Sequence, residues 1–96
     1  MPKYIVRVEL HDAKDGETYT ILHSLMEKAG FKRKIQDLTT LLWYHLPTAE
    51  YLIETPLTTK AVNKLAFDTA SKTNKELMVL TVFYHAVIWK NLRAVK

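Results

Sequence analysis

The chain has 96 residues, of which 48% are apolar and 25% charged, and these proportions exclude a disordered or fibrous protein. This length suits one hydrophobic core, so we predict a single domain over residues 1–96, with residues 88–96 as an extra element or a tail. The formal charge of +4 favours acidic partners, and the absence of cysteine excludes disulfides and thiolate metal sites.

The first predicted elements are a strand and a helix. In "KYIVRVELH", residues 3–11, apolar and polar side chains alternate with the period of two that is typical of a half-buried strand. Either Asp12 or Asp15 is placed to cap the following helix, and Gly30 is predicted to end it in the left-handed conformation. The apolar stripe of this helix consists of Ile21, Leu22, Leu25, Met26 and Ala29.

The rest of the chain predicts two strands, a second helix and a last strand. "FKRKIQD", residues 31–37, has the lysines of an edge strand, and residues 42–53 are predicted as one long strand kinked at Pro47. Thr58 is the predicted cap of the second helix. "ELMVLTVFYHAVI", residues 76–88, is apolar on both faces and rich in β-branched and aromatic residues, as in a covered strand.

This order of elements predicts an α+β fold, the ferredoxin-like βαββαβ sandwich. Its four-stranded antiparallel sheet would have the order 4-1-3-2, with two helices on one face. Ile5, Val79 and Phe83 are then expected on the open face, which is too apolar to remain exposed to water. We therefore predict that these three residues form a homodimer or partner-binding face.

His11 and His45 are the candidate catalytic residues. They end the first strand and begin the third, and these ends are adjacent in the predicted topology. Two imidazoles titrate near neutrality and can move protons during cleavage at a ribose 2′-hydroxyl. The alternative is that both histidines are half-exposed polar residues at strand ends, without a chemical role. His11, Asp12 and Asp15 match no metal-ligand spacing, so we expect no metal and no cofactor.

The candidate RNA-binding residues are Arg7, Lys32, Arg33 and Lys34. Guanidinium and ammonium groups bind phosphate oxygens, and a sheet face with aromatic side chains can stack exposed bases. The alternative is a solvated basic edge, because the paired aromatics of a typical RNA-recognition sheet are absent. His23 and His85 are predicted to be structural.

Three segments carry a family resemblance. "YIVRVELHDA", "LHSLMEKAGFKRKI" and "YHLPTAEY" resemble the small bacterial proteins grouped with GhoS, the endoribonuclease antitoxin of a type V toxin–antitoxin pair. The resemblance covers about residues 4–51, and the C-terminal third departs from the family pattern. It implies a ferredoxin-like fold and cleavage of the RNA of a partner toxin, without implying a settled catalytic motif.

Two functions therefore remain open. The first is a small RNA-binding protein that acts as an endoribonuclease antitoxin on a toxin mRNA, with single-stranded RNA as its partner. The second is a non-enzymatic homodimeric or partner-binding module that uses the open sheet face. The N-terminus lacks the apolar run of a signal peptide, so we expect a cytoplasmic protein that binds neither membranes nor specific DNA sequences.

Overall fold

The structure is a computed structural model, and it describes residues 1–12 and 16–96. The elements in chain order are β1 (Lys3–Leu10), α1 (Gly16–Lys28), β2 (Lys34–Gln36), β3 (Trp43–His45), β4 (Glu50–Glu54), α2 (Thr59–Ala70), a 3₁₀ turn (Ser71–Thr73) and β5 (Leu77–Tyr84). Within these described residues, no helix has the length and apolar character needed to cross a membrane. Asp15, one of the two predicted caps, lies outside them.

The strands form a three-stranded sheet and a separate hairpin. β1 is central and pairs antiparallel with β4 on one side and β5 on the other, while β2 pairs antiparallel with β3. A single reciprocal pair joins hairpin and sheet, because Lys32 N donates to Leu52 O at 2.7 Å and Leu52 N to Lys32 O at 2.8 Å. The α+β class is confirmed, whereas the predicted four-stranded sheet is divided into three strands plus two.

The core lies between the sheet and the two helices. Every second residue of β1 is buried, as the alternation predicts, and each such side chain contributes roughly 1.5–3 kcal/mol on burial. The core residues are Tyr4, Val6, Val8, Leu10, Leu22, Met26, Phe31, Tyr51, Ile53, Val62, Ala66 and Ala70. Ile21 is an exception to the predicted stripe of α1, because its side chain is exposed.

Two of the predicted helix ends are confirmed. Thr58 caps α2, since its side-chain oxygen accepts a hydrogen bond from Ala61 N at 3.1 Å. Gly30 follows α1 with a φ of 101°, a conformation that glycine adopts without steric cost. Thr58 therefore fixes where α2 begins, and Gly30 fixes where the chain leaves α1.

Pro47 separates two strands where a single kinked strand is predicted. Leu46 N donates to Arg33 O at 2.8 Å, and Glu50 N donates to Pro47 O at 3.1 Å, which closes a turn. Ala49 lies in that turn with a φ of 69°. The segment before the turn therefore belongs to the β2–β3 hairpin, and the segment after it pairs with β1.

The register of β5 corrects the predicted open face. Val79 lies opposite Val8 and Phe83 opposite Tyr4, and both of these β1 residues face the helices. Directly opposed residues share a face, so Val79 and Phe83 lie on the helix side and not on the predicted partner face. Both faces of this segment are apolar, so the alternation of residue types does not show which face meets the helices. A shift of one residue in register exchanges the two faces.

The open side of the sheet, defined as the side away from the helices, carries other apolar residues of β5. Met78, Leu80 and Val82 are 65%, 63% and 45% exposed. They pair with Glu9, Arg7 and Ile5 of β1, respectively, which confirms the predicted placement of Ile5 on this side. β5 is also an edge strand, with no partner on its outer side among the described residues.

The C-terminal segment, residues 85–96, returns to the hairpin. His45 N donates to Arg93 O at 2.8 Å, and Val95 N donates to Trp43 O at 2.9 Å. Tyr44 bridges Ala94 between these two bonds. The end of the chain thus pairs with the outer side of β3 as an added extended segment.

Candidate nucleic-acid interface

A groove of about 260 Å³ lies where the open side of the sheet meets the hairpin and the C-terminal segment; we call it the open-side groove. Leu52 and Lys3 belong to its floor, since Leu52 lies opposite Ile5, two residues from Lys3 on the same side of β1. Three lysines and three large aromatic residues line it. They are Lys3, Lys32, Lys34, Trp43, Tyr84 and Trp89.

Buried and exposed side chains alternate along residues 31–35, and this alternation puts the lysines on the exposed side. Phe31 and Ile35 are buried, and Lys32 and Lys34 between them are exposed. Because Lys32 is paired with Leu52, its side chain shares the open side of the sheet with that residue. The sequence pattern "FKRKI" therefore presents two adjacent cations to the groove.

The positive charge of the groove is not neutralised by ion pairs. Among the residues that the structure describes, no carboxylate lies within 4.0 Å of the ammonium groups of Lys3, Lys32 and Lys34. Glu54 is the acidic residue that lines the groove. Burial, with a smaller contribution from Glu54, raises the pKa of the neighbouring Tyr84 above its usual value. The groove therefore combines net positive charge with neutral aromatic rings.

The two arginines predicted to bind phosphate lie on opposite sides of the sheet. Arg7 is exposed on the open side, opposite Glu50 and Leu80. Arg33 is half-buried on the helix side, where its charge acts on His23 and Tyr51. Arg33 lies on the helix side because it alternates with Lys32, which the bridge to β4 fixes on the open side. Whether either arginine binds phosphate stays a prediction.

The two candidate catalytic histidines are not brought together. His11 N donates to Glu76 O at 2.7 Å at the start of β5, and its ring lies 3.5 Å from the Asp12 carboxylate. His45 pairs with Lys34 in the hairpin and lines a different cavity. The turn at Pro47 directs the chain preceding β4 towards β2, so the two strand ends are not adjacent as predicted.

No metal site is visible at His11 within the described part of the chain. Residues 1–12 and 16–96 contain no group of three His, Asp or Glu side chains able to hold an ion. The third residue of the group considered from sequence, Asp15, lies outside the described residues.

A polar cluster under α1 was not anticipated from the sequence. His23 Nδ1 and the Tyr51 hydroxyl are 2.6 Å apart, and Leu10 N donates to the Tyr19 hydroxyl at 3.2 Å. Burial first, and Arg33 second, lower the pKa of His23, while burial raises the pKa of Tyr51. The spacing of Tyr19 and His23 by four residues signals a shared helix face, but no local pattern identifies Leu10 on β1 as the partner of Tyr19 or Tyr51 on β4 as the partner of His23.

This cluster joins elements and does not form a surface site. Tyr51 is fully buried, and its hydroxyl satisfies the half-buried His23 across the α1–β4 contact. His23 therefore has the structural position predicted for it. His85 differs from that prediction in being exposed beside the open-side groove, where its ring packs edge-on against Phe83 at 4.7 Å.

Comparison of the chain with protein-family models and with curated proteins finds no match. The resemblance to the GhoS group therefore remains an expectation from sequence. The candidate interface rests on its geometry alone.

Proposed function

We propose that this chain binds single-stranded RNA in the open-side groove. The observation that carries the proposal is the convergence of Lys3, Lys32 and Lys34, from two separate segments, on a groove that also presents aromatic rings. Lysines that neutralise phosphates supply most of the sequence-independent affinity for nucleic acid, and aromatic rings stack on unpaired bases. A duplex would not offer its bases to such rings, which favours a single strand.

The proposal extends to the fold and the family. If the Lys32–Leu52 pair is counted as a strand contact, the sheet order becomes β5-β1-β4-β2, that of a ferredoxin-like sandwich. The sequence resemblance supports a GhoS-like endoribonuclease antitoxin, with a toxin mRNA as the RNA. Binding is supported by the groove, whereas cleavage is supported by the resemblance alone.

The test is fluorescence anisotropy with a labelled single-stranded RNA of about 20 nucleotides at low salt. We expect saturable binding by the wild type and a loss of at least about tenfold in the variant with Lys32→Glu and Lys34→Glu. A matched control carries Lys60→Glu and Lys72→Glu, which make the same charge change on the helical side, where both lysines are exposed. Equal losses in the two variants would contradict the proposed location.

Cleavage is measured on the same samples by denaturing gel electrophoresis, with His11→Ala and His45→Ala as separate variants. Because the two histidines line different cavities, we expect the variants to behave differently if either residue takes part. An equal and complete loss in both, with RNA binding retained, would contradict this expectation.

The exposed apolar residues of β5 favour a second candidate function, self-association. Met78, Leu80 and Val82 form a stripe along an edge strand, and apolar stripes of this kind mark protein interfaces. The stripe lies at the edge of the sheet opposite the hairpin, so both functions can coexist in one molecule.

Light scattering tests this second candidate with Leu80→Asp. We expect a dimeric wild type and a monomeric variant, because the new carboxylate would be buried in the interface. Phe67→Asp is the control, since Phe67 is also exposed but lies on α2. A monomeric wild type would remove the candidate.

A further inference from the structure

A second groove, of about 600 Å³, runs along the hairpin from the end of α1; we call it the hairpin groove. It shares Lys32, Lys34 and Trp43 with the open-side groove. Since the same three residues border both, the two grooves meet along β2 and at Trp43. The hairpin groove therefore adjoins the open-side groove at these residues.

Trp43 has the properties of a stacking platform at this junction. Its side chain is 41% exposed, although a large apolar ring gains from burial. Its backbone is held on both sides, by pairing with Gln36 in β2 and by the bond from Val95 N at 2.9 Å. An exposed indole on a fixed backbone has only its two side-chain torsions to order on binding, which favours stacking on a planar ligand.

The charges of the hairpin groove suit the same ligand as those of the open-side groove. Arg33 lines it together with the two shared lysines, and Glu27 is its acidic lining residue. Arg33 has no ion-pair partner within 4.0 Å among the described residues. Positive charge therefore continues from one side of β2 to the other around the indole.

We infer that the two grooves form one continuous path for single-stranded RNA, and that Trp43 stacks on a base where they meet. This inference rests on the proposed function and adds to it a base contact and a direction across the surface. The phosphates on either side of the stacked base contact Lys32 and Lys34, and the strand continues towards Arg33. Because stacking needs only a π-face, the site tolerates different bases.

The experiment uses the full chain with Trp89→Phe, which leaves Trp43 as the single tryptophan and keeps an aromatic ring beside Tyr44. Because Trp89 also lines the open-side groove, the anisotropy of this same variant is the reference, and titration with oligouridine is expected to quench Trp43 emission with the same midpoint. In a second arm, Trp43→Leu is expected to bind about tenfold more weakly, and Trp43→Phe to retain most of the affinity.

An abasic oligomer of the same length separates stacking from charge. It carries the phosphates without the bases, so wild type and Trp43→Leu are expected to bind it equally. Unquenched emission together with unchanged RNA affinity of Trp43→Leu would overturn the inference and leave the proposed function standing. Failure of the wild type to bind any RNA would instead remove the proposed function, and the inference with it.

Discussion

The two sides of the central sheet are made from the same strands but have opposite characters. On the helix side, Val6 and Val8 of β1 are fully buried. On the open side, Arg7 is exposed between them, and its neighbour in β5 is the exposed Leu80. The helix side is covered by packing within the chain, whereas the open side combines exposed apolar residues with positively charged ones. From this contrast we expect stability to reside on the helix side, and the proposed interactions to use the open side.

The largest expected effect tests this contrast through stability. Leu22→Ala removes a side chain that is fully buried under the sheet, so we expect the free energy of unfolding to fall by about 2–5 kcal/mol. Leu80→Ala makes the same change at an exposed site and is expected to cost less than about 0.5 kcal/mol. Urea denaturation of both variants, at a protein concentration where light scattering finds the monomer, measures the difference, and similar losses would show that the open side is covered within the monomer.

The next largest effect tests whether the lysines of the open-side groove contact RNA phosphates. If Lys32 and Lys34 each neutralise one phosphate, the double alanine variant should reduce the slope of log affinity against log salt by roughly 1.4. Replacing Lys60 and Lys72 with alanine should leave the slope unchanged. The measurement is anisotropy over a range of salt concentrations. An unchanged slope in the Lys32 and Lys34 variant would show that the phosphates contact other residues.

The smallest expected effect is the pH dependence of stability that comes from His23 in the polar cluster under α1. Burial and Arg33 lower the pKa of His23 in the folded chain below 6.5, so the unfolded chain binds the proton first as the pH falls. Stability from this group is therefore complete above about pH 6.5 and is lost as the pH falls through the folded pKa.

Denaturation of wild type and His23→Gln at about pH 7.5 and about pH 5.5 measures this effect. Gln retains an acceptor for the Tyr51 hydroxyl and does not titrate, so the wild type should lose more stability than the variant. The opposite order would mean that His23 is stabilised as a cation.

Sequence reasoning succeeded where polar residues mark one face of an element and failed where they do not. Arg7 between Val6 and Val8 fixes the two sides of β1, and Thr58 and Gly30 mark helix ends by local chemistry. β5 has apolar residues on both faces and Thr81 on the helix side, so the predicted faces of Val79 and Phe83 were the wrong way round.

The candidate site depended on contacts that are distant in sequence. His11 and His45 were predicted to be adjacent on the assumption that one kinked strand carries His45 alongside β1. The turn at Pro47 instead places His45 in the hairpin, where it pairs with β2. The return of Ala94 to Tyr44 has no local signal, since backbone pairing is independent of side-chain type. Lys32 and Lys34, in contrast, are exposed as alternation with the buried Phe31 and Ile35 predicts, because alternation is a local property; their contact with RNA stays a prediction.

The most direct test of the account is a ¹H–¹⁵N NMR titration of the wild type with single-stranded RNA, which reports every perturbed amide at once. The account predicts the largest shifts along Lys3, Lys32, Lys34 and Trp43, with the amides of α2 unchanged. Shifts concentrated on the helices, or on Met78–Val82 of β5 alone, would contradict the assignment of RNA binding to the open-side groove.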